Sequence, residues 1–149
     1  MLIGIDPVLD ADLLYVLRAM GHGDTLAVVD ANYPAATTAH FTHYGKPIRL
    51  AGVDAPRAVA AILSVMPIDT FAPDPVARME VVEDPAARPE VQREVQAIVD
   101  RAFGEPLPMA GVERMAFYQQ ARDAFAVVAT NERRFYGCFL LKMGVLPPS

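Results

Sequence analysis

The chain has 149 residues, 53% of them hydrophobic and 21% charged, with a formal net charge of −5. That length suits a single domain, 1–149, burying roughly two thirds of the surface its unfolded chain would expose, and an acidic chain without a Lys/Arg run lacks the clustered basic face that nucleic-acid binding requires. One cysteine excludes an internal disulfide and a multi-cysteine zinc site; no apolar run approaches the ~18 residues of a membrane span; and the N-terminus lacks the basic and long apolar regions of a signal peptide, so a reducing cytoplasm is the expected setting.

The first predicted element is a helix over "ADLLYVLRAM", 11–20. Asp10 stands at its N-cap, Leu13, Leu14, Leu17 and Met20 fall at helical spacing, and Gly21 takes the place of a C-terminal glycine. "TLAVVD", 25–30, reads as a short buried strand. Residues 31–47 have no sustained period and read as a long loop, a feature that tends to be functional in compact domains. "PIRLAG", 47–52, is the next strand. "DAPRAVAAILSVMP", 54–67, is a second helix, with Asp54 as cap, Pro56 in the first turn, and Val59, Ile62, Leu63 and Met66 on one face. "FAPDP" breaks the chain. A strand follows over "ARMEVVE", 77–83, then an amphipathic helix over "RPEVQREVQAIVDRAF", 88–103. A short strand is placed at Ala110 to Val112, a helix over "MAFYQQARDA", a strand over "FAVVAT", a turn at "NERR" and a last strand over "YGCFLLKMG". Helices alternating with short apolar strands predict an α/β fold: three α/β/α layers around a mostly parallel or mixed sheet.

Some residues are not demanded by this scaffold. "GHGD" puts His22 on a tight turn between Gly21 and Gly23. An imidazole titrates near neutrality and serves as either acid or base, and a helix C-terminus together with Asp24 or Asp30 would favour its charged form. The plain alternative is a surface turn histidine. Asp30 ends an apolar strand, where open α/β sheets carry ligand-binding residues; the alternative is an aspartate bonding its own turn. His22 and Asp24 also spell H-x-D, two legs of a facial metal triad if His40 or His43 supplied the third. Arg114 begins a helix with Tyr118 one turn along on the same face. An arginine beside Tyr118 and Tyr136 is suited to hydroxyl-rich ligands, against the alternative of a solvated arginine and two core tyrosines. Cys138, in an apolar strand, reads as inert. There is no glycine-rich phosphate loop, serine nucleophile elbow or metalloprotease motif.

Taken in order, "GIDPVLDADLLYVLRAMGHGD", "VVDANYPA", "RMAFYQQARDAFAVVAT" and "ERRFYGCFLLKMGV" resemble the fucose mutarotase / ribose pyranase family, nearer its fucose branch. Residues 36–50 and 84–110 match only in rhythm. The resemblance implies an enzyme that interconverts the anomers of a free sugar without metal, nucleotide or other cofactor. It implies His22 as proton donor and Asp30 as substrate ligand. Arg114 occupies a position that is arginine in the fucose branch and histidine in the ribose branch. The family's closing Tyr-Gly-Asn becomes Tyr136, Gly137 and Cys138, so an amide that can donate and accept is replaced by a thiol. A ring-shaped homo-oligomer, often a decamer, is implied too, with each site completed by a neighbouring subunit; the high apolar content suits it. The expected mechanism has His22 as general acid/base, Asp30 orienting His22 or holding a hydroxyl, Arg114 on sugar oxygens, and Tyr118 and Tyr136 as walls and donors. The alternatives are a non-catalytic sugar-binding or transport-accessory protein, which the Cys138 departure favours, and a metal enzyme using His22 and Asp24.

Overall fold

The computed structural model describes residues 1–149. Six strands form one mixed sheet in the order β2-β5-β1-β6-β3-β4. They are β1 Thr25–Val29, β2 Ile48–Leu50, β3 Val76–Met79, β4 Ala110–Val112, β5 Ala126–Thr130 and β6 Phe139–Lys142. All neighbours run parallel except β6, which is antiparallel to both β1 and β3. Period-two alternation sorts each strand's side chains between two cores. Leu26, Val28, Val128, Phe139 and Leu141 face α1 (Ala11–Ala19), α3 (Ala55–Leu63) and α4 (Glu90–Phe103). Ala27, Val29, Val127 and Leu140 face α2 (Ala35–Ala39) and α5 (Arg114–Arg122). The result is the expected three-layer α/β/α domain.

Local chemistry sets most helix ends. The Asp10 carboxylate accepts from the Leu13 N–H and the Asp54 carboxylate from the Arg57 N–H, as the N-cap readings anticipate. Gly104 ends α4 in the left-handed conformation, φ 91°.

Several expectations need correcting. The 31–47 loop contains the one-and-a-half-turn helix α2. The first helix closes on Met20 in extended geometry, and the left-handed residue of the turn is Gly23, φ 87°, not Gly21. The second helix stops at Leu63, short of Pro67, whose ring cannot continue it. β3 ends at Met79 because the chain folds back on itself there, with Glu83 left-handed at φ 68°. The last strand starts at Phe139, since Tyr136, φ 63°, and Gly137 form a bend before it.

Candidate functional site

Because β6 runs against its neighbours, its beginning lies beside the C-terminal ends of β1 and β3. Val28 pairs with Phe139 and Arg78 with Phe139, so the bend at 136–138 meets Asp30 and Met79 at one edge of the sheet. β4 parallels β3 and delivers the first turn of α5 to the same edge. A cleft of about 350 Å³ opens there, lined by Asp30, Tyr33, Met79, Arg114, Tyr118 and Tyr136 among others, with Cys138 in its wall. That volume lies within the roughly 300–1,000 Å³ range of small-molecule sites, and the position fits the rule that open α/β sheets bind at the carboxyl ends of their strands.

Asp30 is 6% exposed. One carboxylate oxygen accepts from the Asn32 N–H at 3.0 Å and the other from the Gly137 N–H at 3.2 Å. Burial pushes its pKa above the usual aspartate value, and contacts with the Cys138 thiol and these backbone donors offset part of the rise. The Cys138 thiol, almost wholly buried, is pushed well up, by burial first and by Asp30's charge second. It is a neutral, soft group at the bend one residue before β6, whereas the sequence pattern puts it inside the strand. Gly137 is required where it stands: a Cβ there would lie 2.7 Å from Glu132 Cγ and 3.5 Å from Asp30 Cβ.

Across the cleft, Arg114 Nε donates to the Tyr118 hydroxyl at 3.3 Å, and its guanidinium carbon sits 5.5 Å from that ring's centroid. Glu113 caps this turn by accepting from the Met115 and Ala116 N–H groups. Tyr33 packs 5.2 Å from Tyr118, and burial raises its pKa to about 12, keeping it neutral. Tyr136 holds a left-handed backbone, which costs a bulky residue about 1–3 kcal/mol and persists only when its surroundings over-determine it. Its hydroxyl accepts from the Val82 N–H at 3.3 Å.

His22 is elsewhere. It precedes β1, whereas Asp30 follows it; the intervening strand separates the two ends by roughly 15–20 Å. Asp30 therefore does not orient His22 within one chain. The carboxylate that does is Asp69: His22 Nε2 and Asp69 Oδ1 are 3.0 Å apart. The Asp69 side chain is 4% exposed, and its pKa is held low by the Phe71 N–H first, against the effect of burial, and by His22. Phe71 meets the imidazole edge-on at 5.3 Å, and the ring remains 44% exposed. Asp69 lies 47 residues from His22 in a stretch with no motif, so sequence pattern could not single it out. Glu132, buried behind the Asp30 loop, was likewise missed. The H-x-D pair recruits neither other histidine, His40 meeting Phe41 edge-on and His43 packing tilted against Phe125, and no group of three metal-ligating side chains is found.

Thus Asp30, Arg114, Tyr118, Tyr136 and Cys138 converge on one cleft, with Gly137 behind it donating its N–H to Asp30, whereas the half-exposed His22 lies by the opposite, N-terminal end of β1. The chain as a whole has relatives among known proteins. Human fucose mutarotase is 38% identical over 146 residues, 96% of this chain and 93% of its own. The crystal structure of protein Atu2016 superposes with a TM-score of 0.96 at 52% identity, covering 99% of this chain and 97% of that one. The Streptococcus pneumoniae fucose mutarotase, solved in complex with L-fucose, gives a TM-score of 0.88 at 32% identity over 98% of this chain and all of its own. Residues 3–146 match one family along nearly the whole chain, and the protein belongs to it: the RbsD / FucU transport protein family.

Proposed function

We propose that this protein is a sugar mutarotase, an isomerase exchanging the α and β anomers of L-fucose or a related free sugar. The observation that carries the reading is the convergence of Asp30, Arg114, Tyr118 and Tyr136 on one cleft, in a chain whose relatives include fucose mutarotases. Opening a cyclic hemiacetal needs a proton delivered to the ring oxygen and one removed from the anomeric hydroxyl. The C1–O5 bond breaks, the aldehyde rotates about C1–C2, and reclosure returns both protons with the opposite face attacked. A group that titrates near neutrality serves both directions. Positioned acid–base help is worth roughly 10²–10⁴-fold, about 3–5 kcal/mol of barrier, which suffices for a reaction that water already permits.

His22 is the acid/base. With Nε2 given to Asp69, Nδ1 is the nitrogen that exchanges a proton with the sugar. Asp30 accepts a sugar hydroxyl, Arg114 donates to ring or hydroxyl oxygens, and Tyr118 and Tyr136 are walls and donors. Cys138 narrows the hydroxyl pattern the cleft can satisfy. Since one chain keeps His22 away from its own cleft, the working site takes His22 from a neighbouring copy. That is why we infer a homo-oligomer with shared sites; a decameric ring is what the family resemblance implies, and a reducing cytoplasm is the setting that a chain with one cysteine suits. The exposed Phe71 beside His22, and Val145 and Leu146 of the C-terminal tail, are apolar surface of the kind such an assembly covers.

Exchange NMR on L-fucose tests the assignment. His22→Ala is expected to reduce catalysed anomer exchange by roughly 10²-fold or more, with assembly and sugar binding through the cleft retained. Wild-type exchange in that variant removes His22 from the mechanism. Binding without acceleration by the unmodified protein would leave the non-catalytic sugar-binding reading in its place.

A further inference from the structure

Gln92 stands in the first turn of α4, in the helix layer away from α5, with none of its surface exposed. A buried primary amide needs partners at both ends. Its Nε2 donates to the Met79 carbonyl at 2.8 Å and the Tyr136 carbonyl at 3.0 Å, and its Oε1 accepts from Arg78 Nη1 at 3.3 Å. A guanidinium only donates, so Arg78 dictates which way round the amide sits: oxygen toward Arg78, nitrogen toward the two carbonyls. Arg78 is itself 2% exposed and gives its hydrogen bonds to neutral acceptors, Gln92 and the Pro85 carbonyl, while its Nε has no partner. A buried cation committed to a neutral amide is costly to keep. What it secures is the amide's orientation.

Both carbonyls that Gln92 takes belong to residues lining the cleft, one at the end of β3 and one at the bend before β6. The second is the carbonyl of Tyr136, the one cleft residue with a left-handed backbone. We propose that Gln92 is a positioning residue for the cleft: turned by Arg78, its amide clasps the Met79 and Tyr136 carbonyls and holds the strained Tyr136 backbone so that its ring forms the cleft wall. The inference rests on the sugar-cleft reading above.

Gln92→Leu removes the amide at similar volume. Gln92→Glu keeps the shape and the Arg78 contact but turns carboxylate oxygen toward the two carbonyls; it decides the matter if the leucine variant does not fold. Each is expected to raise the L-fucose dissociation constant about tenfold, as for loss of two modest hydrogen bonds. The exchange rate at saturating sugar falls less. In sugar-free protein the Tyr136 ring resonances move. In a Tyr136→Gly background, where no ring remains and the left-handed backbone is unstrained, either Gln92 substitution is expected to cost no further affinity. Wild-type affinity in a folded Gln92 variant, unmoved Tyr136 resonances, or an equal loss in the Tyr136→Gly background would overturn the proposal. If the unmodified protein binds no L-fucose, the sugar reading fails, while the Tyr136 resonances alone still decide the clamp.

Discussion

Glu132 joins the cleft to the rest of the fold through one buried carboxylate. Oε1 accepts from Arg134 Nε and from the Arg134 N–H, both at 2.9 Å, and Oε2 accepts from Arg134 Nη2 at 3.0 Å and weakly from the Ala55 N–H. Its backbone carbonyl takes the Ala31 N–H beside Asp30. Burial works to raise its pKa, but the Arg134 bonds outweigh that and hold it below the usual glutamate value. A carboxylate with a depressed folded pKa stabilises above its unfolded pKa, and that contribution is lost as pH falls through the folded value. Glu132→Gln is therefore expected to cost about 1–3 kcal/mol at neutral pH, discounted because Arg134 is 37% exposed. Urea unfolding of the two proteins should converge as pH falls below 4.5, the ordinary value. A gap that persists unchanged into acid would mean that packing, not charge, is what Glu132 supplies. Asp30 has the opposite sign: its raised pKa makes its ionisation a cost to the fold as pH climbs past 3.8. The carboxylate proposed to accept a sugar hydroxyl is thus held at the expense of stability, and Glu132 behind it offsets part of that.

Among the helices, two caps of similar chemistry are expected to do different things. Asp54→Ala removes the bond to the Arg57 N–H at the start of α3, a helix that contributes no residue to the cleft lining, and should lower stability by about 1 kcal/mol with sugar affinity unchanged. Glu113→Ala frees the two N–H groups of the turn that carries Arg114, and should weaken L-fucose binding about two- to fivefold as that turn frays. Parallel denaturation and NMR titration separate the two; equal affinities in both variants would show that Arg114 does not depend on its cap. The legibility of the fold follows the same logic. Asp10, Asp54 and the short apolar strands were readable because the physics that places them acts within a few residues. Arg114 and Tyr118 were readable as a pair because one helical turn joins them. The small helix α2 was not, since AATTA has neither a cap nor an apolar period and is held by packing of Ala35 and Ala39 against Phe117 and the sheet. Nor were Asp69 and Gln92, whose partners His22, Met79 and Tyr136 arrive from distant parts of the chain. Within one chain Asp30 does not reach His22 for a related reason: the residues flanking one short strand lie at its opposite ends.

That separation gives the proposed shared site a testable consequence. A five-residue strand leaves His22 and Asp30 of one chain at opposite ends of β1, so no side-chain motion brings them onto one sugar ring. If each working site pairs His22 of one copy with the cleft of another, then His22→Ala and Asp30→Asn disable different halves of every interface. Rings built from either variant alone are expected to be inactive. Dissociated and reassembled together in equal amounts, about a quarter of the interfaces would combine an intact His22 with an intact Asp30, and roughly that fraction of exchange activity should return. The recovery requires reassembly, so simply mixing preformed rings gives nothing until subunits trade places, and its rate reports that exchange. A site contained in a single chain gains nothing from any mixing. Absence of recovery after demonstrated subunit exchange would therefore assign His22 to some other task and return the search for the acid/base to the cleft itself.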